Sequence, residues 1–260
     1  RGLQVGGRSL TWGGITLRLS DEDFEGVEAP EGRVSWPIRS VDLKDDYATL
    51  ERMFAVHGSA DGLAHLPDGR TQPPLPFTDA EERFGSALAQ RLGVSMIHSR
   101  GFGPHQPDRD GPWPRSSSRG STLPRALKTG RVALLPQHLV ERLVIAPGEA
   151  RADGVVLIDQ IDGSRHTVQA DLVVLAASTI QTVSILLRSQ REGLHEPSGR
   201  LGRRLMDHVS TSQFFAFSDS AASTQPPLTG AGSFFLPFGR HLEGADFQGG
   251  YGLWGGIGRF

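Results

Sequence analysis

The feature that most constrains the fold is a change in the apolar pattern after residue 130. From there the chain carries short segments rich in Val, Leu and Ile, interrupted by the turn pairs Pro147-Gly148 and Asp162-Gly163. Because Asp-Gly is a strong hairpin signal, these segments predict an antiparallel meander. The predicted strands are residues 131–135, 139–145, 154–159 and 166–170.

A continuous apolar run at residues 171–177 follows the predicted meander. A run of this kind is typical of a strand that is buried on both faces of a parallel sheet. Ser178 is placed to cap a following helix, whose inner face would carry Ile180, Val183 and Leu187. Meander, buried strand and helix together indicate an α/β fold with α+β elements, and such sheets bind ligands at the carboxyl ends of their strands.

Before the meander, the sequence predicts a long excursion of loops and helices over about residues 20–130, and two of its helices can be placed. Apolar residues at helical spacing place one helix near residues 41–55. Thr78 and Glu81 form a capping-box pattern for the second helix, which should end at Gly93. Acidic residues 21–31 and the Pro- and Ser-rich residues 101–125 read as solvated loops.

The last part of the chain has a different texture. Residues 211–217 and 233–238 have strand-like composition, and residues 248–257 carry aromatic side chains spaced by glycines. We therefore expect a first domain at residues 1–204 and the start of a second, more β-rich domain at residues 205–260. The abrupt beginning and end of the sequence favour a central fragment of a longer protein.

The composition excludes several classes of function. With 27 basic and 29 acidic residues, the net charge of −2 does not attract nucleic acid or an anionic membrane. The chain has no cysteine, which excludes disulfides, thiolate catalysis and thiolate metal sites. No apolar run approaches the roughly 18 residues of a membrane span, and no signal peptide is visible. The histidines stand singly, so we expect no metal site.

Glycine is enriched, with 33 residues among 260. The sharpest cluster is the segment 5–14, in which two Gly-Gly pairs bracket Ser9 and Trp12. Because glycine has no Cβ, such a segment can present backbone N–H groups to an anion or a planar ring, and Trp12 adds a flat surface. A plain glycine-rich turn is the alternative interpretation.

Two other patterns have competing interpretations. Asp207-His208 could form a catalytic dyad, since a carboxylate can orient an imidazole, but adjacent residues on extended chain point apart and a structural role is favoured. The basic residues between Arg109 and Arg131 could face a phosphate, but a solvated loop is the favoured interpretation.

The motifs, taken in order, resemble the glucose–methanol–choline (GMC) family of FAD-dependent oxidoreductases. The segment 5–14 resembles the family's glycine-rich stretch beside the flavin. The passage from Trp36-Pro37-Ile38 to Tyr47, residues 139–143, residues 173–189 and residues 201–208 resemble further family motifs in the same order. The similarity is greatest to the sugar-oxidising branch of pyranose oxidase and the glycoside 3-oxidases.

The resemblance implies a Rossmann-like FAD-binding domain and a set of cofactor contacts. Near the flavin it places Gly6, Gly7, Arg8, Ser9, Trp12, Gly13 and Gly14. It places Val140 at the adenine end, and Ala176 and Ala177 where the parallel strand meets the nucleotide. Thr11 occupies the position at which some sugar oxidases carry a flavin-linked histidine, so the FAD is expected to be non-covalent.

The function implied by the resemblance is oxidation of a CH–OH group of an alcohol, sugar or glycoside, with hydride transfer to flavin N5. The family's amino-terminal Gly-x-Gly-x-x-Gly unit is not found, because the one match to its pattern, residues 250–255, is followed by nothing helical and is taken as chance. No position present matches the family's catalytic histidine, so no catalytic residue is assigned. The alternatives are a non-catalytic remnant of the family and an unrelated nucleotide-binding module. The expected partner is a small alcohol or sugar, a homo-oligomer is left open, and the missing export signal suggests a cytoplasmic location.

Overall fold

A computed structural model describes residues 2–26, 32, 33, 35–149, 151–203, 205–216, 233–237 and 250–258. The chain divides into two compact units, Arg1–Val132 with Phe217–Phe260, and Ala133–Ala216. The predicted domain boundary at residue 205 stays a prediction. The helices are α1 Asp21–Glu25, α2 Lys44–Phe54, α3 Asp79–Leu92, α4 Pro107–Asp110, α5 Thr122–Lys128 and α6 Thr179–Gln190. The strands are β1 Ile97–His98, β2 His138–Ile145, β3 Ala152–Asp159, β4 Arg165–Gln169, β5 Phe234–Leu236 and β6 Leu253–Gly255.

The smaller unit contains the predicted antiparallel meander, which is three-stranded and includes three of the four expected strands. Strands β2, β3 and β4 form an antiparallel sheet in that order, with Leu157 opposite Val140 on one side and His166 on the other. The Asp-Gly turn closes as expected, because Gly163 has a φ of 76° and the Ser164 amide donates to Asp162 Oδ1. The mixed α and β architecture inferred from the sequence is thus confirmed.

Helix α6 packs on the meander through a different face from the predicted one. Its buried residues are Ile185 and Ser189, whereas Ile180 and Leu187 are largely exposed. The Ser189 hydroxyl accepts a hydrogen bond from the Leu143 amide at 2.9 Å and donates to the Ile185 carbonyl at 2.8 Å. This bond to β2 fixes the rotation of the helix, which the apolar spacing alone could not specify.

The predicted strand at residues 171–177 is wrong. This run forms no strand, and Leu172 and Val174 are 79% and 77% exposed. A strand needs a neighbour to complete its hydrogen bonds, and none of the described strands pairs with this run. Ser178, at the start of α6, has a φ of 68° and its side chain makes no capping hydrogen bond.

Three further expectations need correction. Residues 131–135 and the described part of 211–217 are exposed and form no strand, again without a pairing partner among the described residues. The predicted loop at 21–31 begins with α1, which Ser20 and Asp23 start through a capping box and which buries Phe24. Residues 27–31 and 217 lie outside the described residues.

The larger unit holds a second antiparallel sheet of β1, β5 and β6, with β5 in the middle. Phe235 on β5 stacks on Trp254 of β6, with ring centroids 4.4 Å apart. Phe235 also joins Leu66 and Ile97 in the buried apolar core. Strand β5 lies in the predicted strand at 233–238, and β6 lies in the segment 248–257, where aromatic side chains are spaced by glycines. Residues 238, 248 and 249 lie outside the described residues.

The capping box that starts α3 is present as predicted, and it has a second role. The Thr78 hydroxyl and the Glu81 carboxylate bond to each other's backbone amides. Glu81 Oε1 also accepts from the Ile257 amide at 2.9 Å, and the Thr78 hydroxyl donates to the Ile257 carbonyl at 3.1 Å. A helix cap therefore holds a segment that is remote in sequence. Gly93, in the left-handed conformation, ends the helix as expected.

Helix α2 carries a buried ion pair between Glu51 and Arg18. The Arg18 guanidinium donates two hydrogen bonds to Glu51, at 2.8 and 2.7 Å, and the Arg70 amide donates a third at 2.6 Å. Burial by itself would raise the pKa of the Glu51 carboxyl, but these hydrogen bonds outweigh it and the pKa lies below its ordinary value.

Replacing Glu81 should destabilise the larger unit. Glu81→Ala leaves the buried amide of Thr78 and the partly buried amide of Ile257 without their acceptor, so we expect a loss of about 2–4 kcal/mol in the free energy of unfolding. Glu82→Ala, on the exposed face of the same turn, should change it by less than about 0.5 kcal/mol. Urea unfolding measures both, and hydrogen exchange at the Ile257 amide provides a local check. Equal effects of the two variants would contradict the assigned role.

The Glu51 pair should make stability depend on pH. Because the folded pKa lies below the ordinary value of 4.5, the contribution is complete above that value and is lost as the pH falls through the folded pKa. We expect the wild type to exceed Glu51→Gln by about 3 kcal/mol at neutral pH, with the difference shrinking below pH 4.5. Urea midpoints between pH 3 and 7 measure it, and two parallel profiles would contradict this account.

Candidate functional site

The glycine-rich segment at residues 5–14 folds as a tight turn followed by one turn of 3₁₀ helix, Gly7–Leu10. Gly6, Gly7 and Gly14 have φ angles of 102°, 51° and 72°. Side chains other than that of glycine rarely tolerate such angles, which explains why glycine recurs at these three positions. The two Gly-Gly pairs thus set the path of the backbone around Ser9 and Trp12.

The exit of this segment is paired with residues 100–102. The Thr16 amide donates to the Arg100 carbonyl at 3.0 Å, and the Phe102 amide donates to the Gly14 carbonyl at 3.4 Å. A Cβ at Gly101 would lie 2.4 Å from the Gly14 carbonyl oxygen. Only glycine at position 101 therefore allows the two backbones to approach so closely.

Residues 100–102 are themselves anchored by a buried guanidinium. Arg100 is 2% exposed and donates to Asp61 at 2.9 Å, to Asp68 at 3.0 Å and to the Pro67 carbonyl at 2.6 Å. On the opposite edge, His57 and Gly101 exchange two backbone hydrogen bonds. Gly14 thus rests on a backbone segment that is fixed on both sides.

Trp12 is exposed but firmly held. Its indole Nε1 donates to the Ser116 carbonyl at 3.0 Å, and its ring meets the edge of Phe102 with centroids 5.7 Å apart. Even so, 45% of the residue remains exposed. A fixed, half-exposed aromatic ring is the kind of surface against which a planar group can bind.

The Ser9 side chain faces the protein. Its hydroxyl donates to the Gly6 carbonyl and accepts from the Ser118 amide at 3.0 Å. The turn 114–121 that supplies Ser118 is closed by the fully buried Ser117, whose hydroxyl donates to the Pro114 carbonyl and accepts from the Gly120 amide.

Sequence reasoning missed the turn 114–121, which lies in the part of the chain that was expected to be a solvated loop. The sequence signal that could have predicted this turn is the run of three serines, residues 116–118, shortly after Trp113. In the structure Arg119 stacks on Trp113, with the guanidinium carbon 3.7 Å from the ring centroid. Of the basic residues between Arg109 and Arg131, at least Arg119 therefore has a structural contact with another side chain.

Several backbone amides of the glycine segment bond in or next to it. Those of Gly7, Ser9, Thr11 and Trp12 donate to carbonyls within residues 4–8. By contrast, the amides of Gly13 and Gly14 have no acceptor among the described residues, and of these two residues only Gly13 is exposed. A Cβ at Gly13 would meet nothing within 4 Å. Gly13 is thus an open position of the segment, beside the exposed ring of Trp12.

The structure brings seven of the candidate site residues together in the larger unit: Gly6, Gly7, Arg8, Ser9, Trp12, Gly13 and Gly14. The other three lie in the smaller unit. Val140 is half-buried on β2, opposite Leu157 and next to an irregularity in the strand register. Ala176 and Ala177 are exposed and precede α6 directly.

The histidines in the described part of the chain offer no formed catalytic pair. The side chains of Asp207 and His208 are almost fully exposed, with 3.7 Å between Oδ1 and Nδ1, and Asp207 Oδ1 accepts from the His208 backbone amide at 2.8 Å. His98 is half-buried and stacks on Phe77 at 3.9 Å. Burial lowers the pKa of the His98 imidazole, although the nearby carboxylates Asp61 and Glu81 act in the opposite direction.

No helix in the described part of the chain has the length and apolar character to cross a membrane.

Several curated proteins are similar to this chain. A 2-methyl-1,2-propanediol dehydrogenase of Mycolicibacterium austroafricanum is 26% identical over 243 residues, covering 79% of this chain and 40% of that protein. A 6'''-hydroxyparomomycin C oxidase of Streptomyces lividus is 26% identical over 276 residues, covering 95% of this chain and 50% of that protein. The FAD- and quinone-dependent glucose dehydrogenase of Drosophila pseudoobscura pseudoobscura is 26% identical, covering 87% of this chain and 38% of that protein.

The chain therefore spans about half the length of these relatives or less. The family model described as GMC oxidoreductase matches residues 76–210, which is more than half of the 260 residues. This region includes α3, the turn 114–121, the meander and α6. The family expected from the sequence motifs is confirmed: the chain belongs to the GMC oxidoreductases.

Proposed function

We propose that this chain forms part of an FAD-dependent oxidoreductase that acts on a CH–OH group of an alcohol or a sugar. Family membership supports the reaction class. The single observation that carries the cofactor assignment is the pairing of a fixed, half-exposed Trp12 with the open amide of Gly13. A planar ring with polar edges, such as an isoalloxazine, fits this pairing of surface and donor.

The residues in and around the glycine segment fit a flavin sterically. Gly13 leaves open space where any other residue would place a Cβ, and its amide has no acceptor within the part of the chain that the structure describes. We assign Gly6, Gly7, Arg8, Ser9, Trp12, Gly13 and Gly14 to the flavin end of the cofactor site. Val140 is assigned to the adenine end, and Ala176 and Ala177 to the nucleotide.

FAD, when bound, supplies the hydride acceptor at flavin N5. The alcohol carbon would give up its hydride and the hydroxyl its proton, leaving a carbonyl product, so that two electrons and one proton leave the substrate with the hydride and a second proton goes to a base. No residue of this chain is assigned as that base. The contribution of the described residues is to hold the ring in one orientation and to shield one of its faces from water.

The relatives suggest the class of substrate. Their names refer to a propanediol, an aminoglycoside and glucose, all of which are hydroxylated small molecules. We extend to this chain only that shared chemistry, a small alcohol or sugar. The sugar-oxidising branch, a homo-oligomeric state and a cytoplasmic location stay predictions.

The first test is retention of flavin by the purified chain. After incubation with FAD and desalting, the wild type should retain flavin, measured by its visible absorbance. Gly13→Val should lose the flavin because its side chain fills the open space, while its free energy of unfolding in urea should stay within about 0.5 kcal/mol of the wild type. Bleaching of the retained flavin by 1,2-propanediol or D-glucose without oxygen would exclude the non-catalytic remnant, and no retained flavin would contradict the proposal.

The second test concerns the linkage to the cofactor. Thr11 offers no imidazole, and its hydroxyl donates to the Arg8 carbonyl. We therefore expect all bound FAD to appear in the supernatant after precipitation with trichloroacetic acid, as measured by absorbance. Yellow colour that stays with the precipitated protein would show a covalent link and contradict this expectation.

A further inference from the structure

We propose that Ser9 is a positioning residue, which together with the turn 114–121 fixes the orientation of Trp12 and the adjoining Gly13 amide. This inference rests on the proposed function, because it assigns Ser9 an indirect role in holding the flavin. Through its side chain, Ser9 would act on the site by way of Trp12 and would not touch the cofactor.

The first argument is the use of the Ser9 hydroxyl. A hydroxyl has one proton to donate, and here the Gly6 carbonyl accepts it. The same oxygen accepts from the Ser118 amide at 3.0 Å and lies 3.4 Å from the Ser118 hydroxyl. The side chain is thus committed to the protein and joins the start of the glycine segment to the turn.

The second argument is that the same turn holds Trp12. The indole Nε1 donates to the Ser116 carbonyl, two residues before Ser118. Residues 9 and 12 on one segment are therefore bonded to residues 118 and 116 on the other. Two bonds across a pair of short segments restrict sliding and rotation, which a single bond would permit.

The third argument is that the turn itself is rigid. Ser117 is fully buried and uses its hydroxyl twice within residues 114–120. A Cβ at Gly120 would lie 2.2 Å from the Pro114 carbonyl oxygen, which shows how tightly the turn is closed. Arg119 adds a stacking contact with Trp113, and its side-chain stem lies against Gly6.

The bonds from Ser9 and Trp12 to the turn 114–121 bear on the affinity for the cofactor. A segment with four glycines and three positive φ angles loses much conformational freedom when it is ordered. If that ordering occurred only on cofactor binding, its cost would be subtracted from the affinity. Bonds from Ser9 and Trp12 to a rigid turn would order the segment in advance.

The test compares Ser9→Ala with Ser9→Thr and the exposed control Ser95→Ala. The chain is labelled with 5-fluorotryptophan, and the ¹⁹F resonance of Trp12 is assigned with Trp12→Phe. Without FAD, Ser9→Ala should shift or broaden the Trp12 resonance selectively, whereas Ser9→Thr and Ser95→Ala should leave it as in the wild type. FAD affinity of Ser9→Ala should fall about 3- to 10-fold, as expected for the loss of one hydrogen bond, with rescue by Ser9→Thr.

The outcomes separate the two proposals. An unchanged Trp12 resonance in folded Ser9→Ala overturns the positioning role, whatever the wild type binds. A moved resonance with wild-type FAD affinity also overturns it, because the orientation of Trp12 would then not matter to the cofactor. If the wild type itself retains no FAD, the proposed function fails and the positioning role fails with it. General unfolding in Ser9→Ala would move all four tryptophan resonances, and Ser117→Ala then serves as the second variant, with the same expected result and the same contradicting results.

Discussion

The buried guanidinium of Arg100 is the interaction on which the candidate site most depends. It binds Asp61 and Asp68 and thereby holds residues 100–102, which pair with the glycine segment at Gly14 and with His57 on the other edge. A buried ion pair adds little net stability over an apolar replacement, but the loss of one partner leaves a charge without compensation. The network therefore specifies where the backbone of the site lies more than it stabilises the fold.

Local sequence patterns predicted those parts of the fold that local interactions determine. The capping box at Thr78 and Glu81, the helix end at Gly93 and the Asp162-Gly163 turn each involve residues a few positions apart, and all three are present. The predictions that were wrong concern segments whose structure depends on partners remote in the sequence. The run at 171–177 has strand composition but no strand beside it, and α6 turns toward β2 because of one serine hydroxyl.

The candidate site shows the same division. Glycines at positions 6, 7, 13 and 14 and the tryptophan at 12 stand out in the sequence, and the structure gives three of those glycines positive φ angles. The partners of the segment, at residues 100–102 and 114–121, could not be inferred, because nothing in a single sequence states that residue 9 meets residue 118. The expectation of several free backbone amides also changed, since four of them bond to carbonyls within residues 4–8, whereas the exposed Gly13 amide has no acceptor among the described residues.

The central claim is that a flavin binds against Trp12 and Gly13. The most direct measurement is a titration of the ¹⁵N-labelled chain with FAD, followed through the backbone amides and the indole N–H of each tryptophan. We expect the largest shifts at the Gly13 and Gly14 amides and the Trp12 indole, with little change at the Trp36 indole. Saturable FAD binding that leaves the Gly13 amide and the Trp12 indole unmoved would contradict the account.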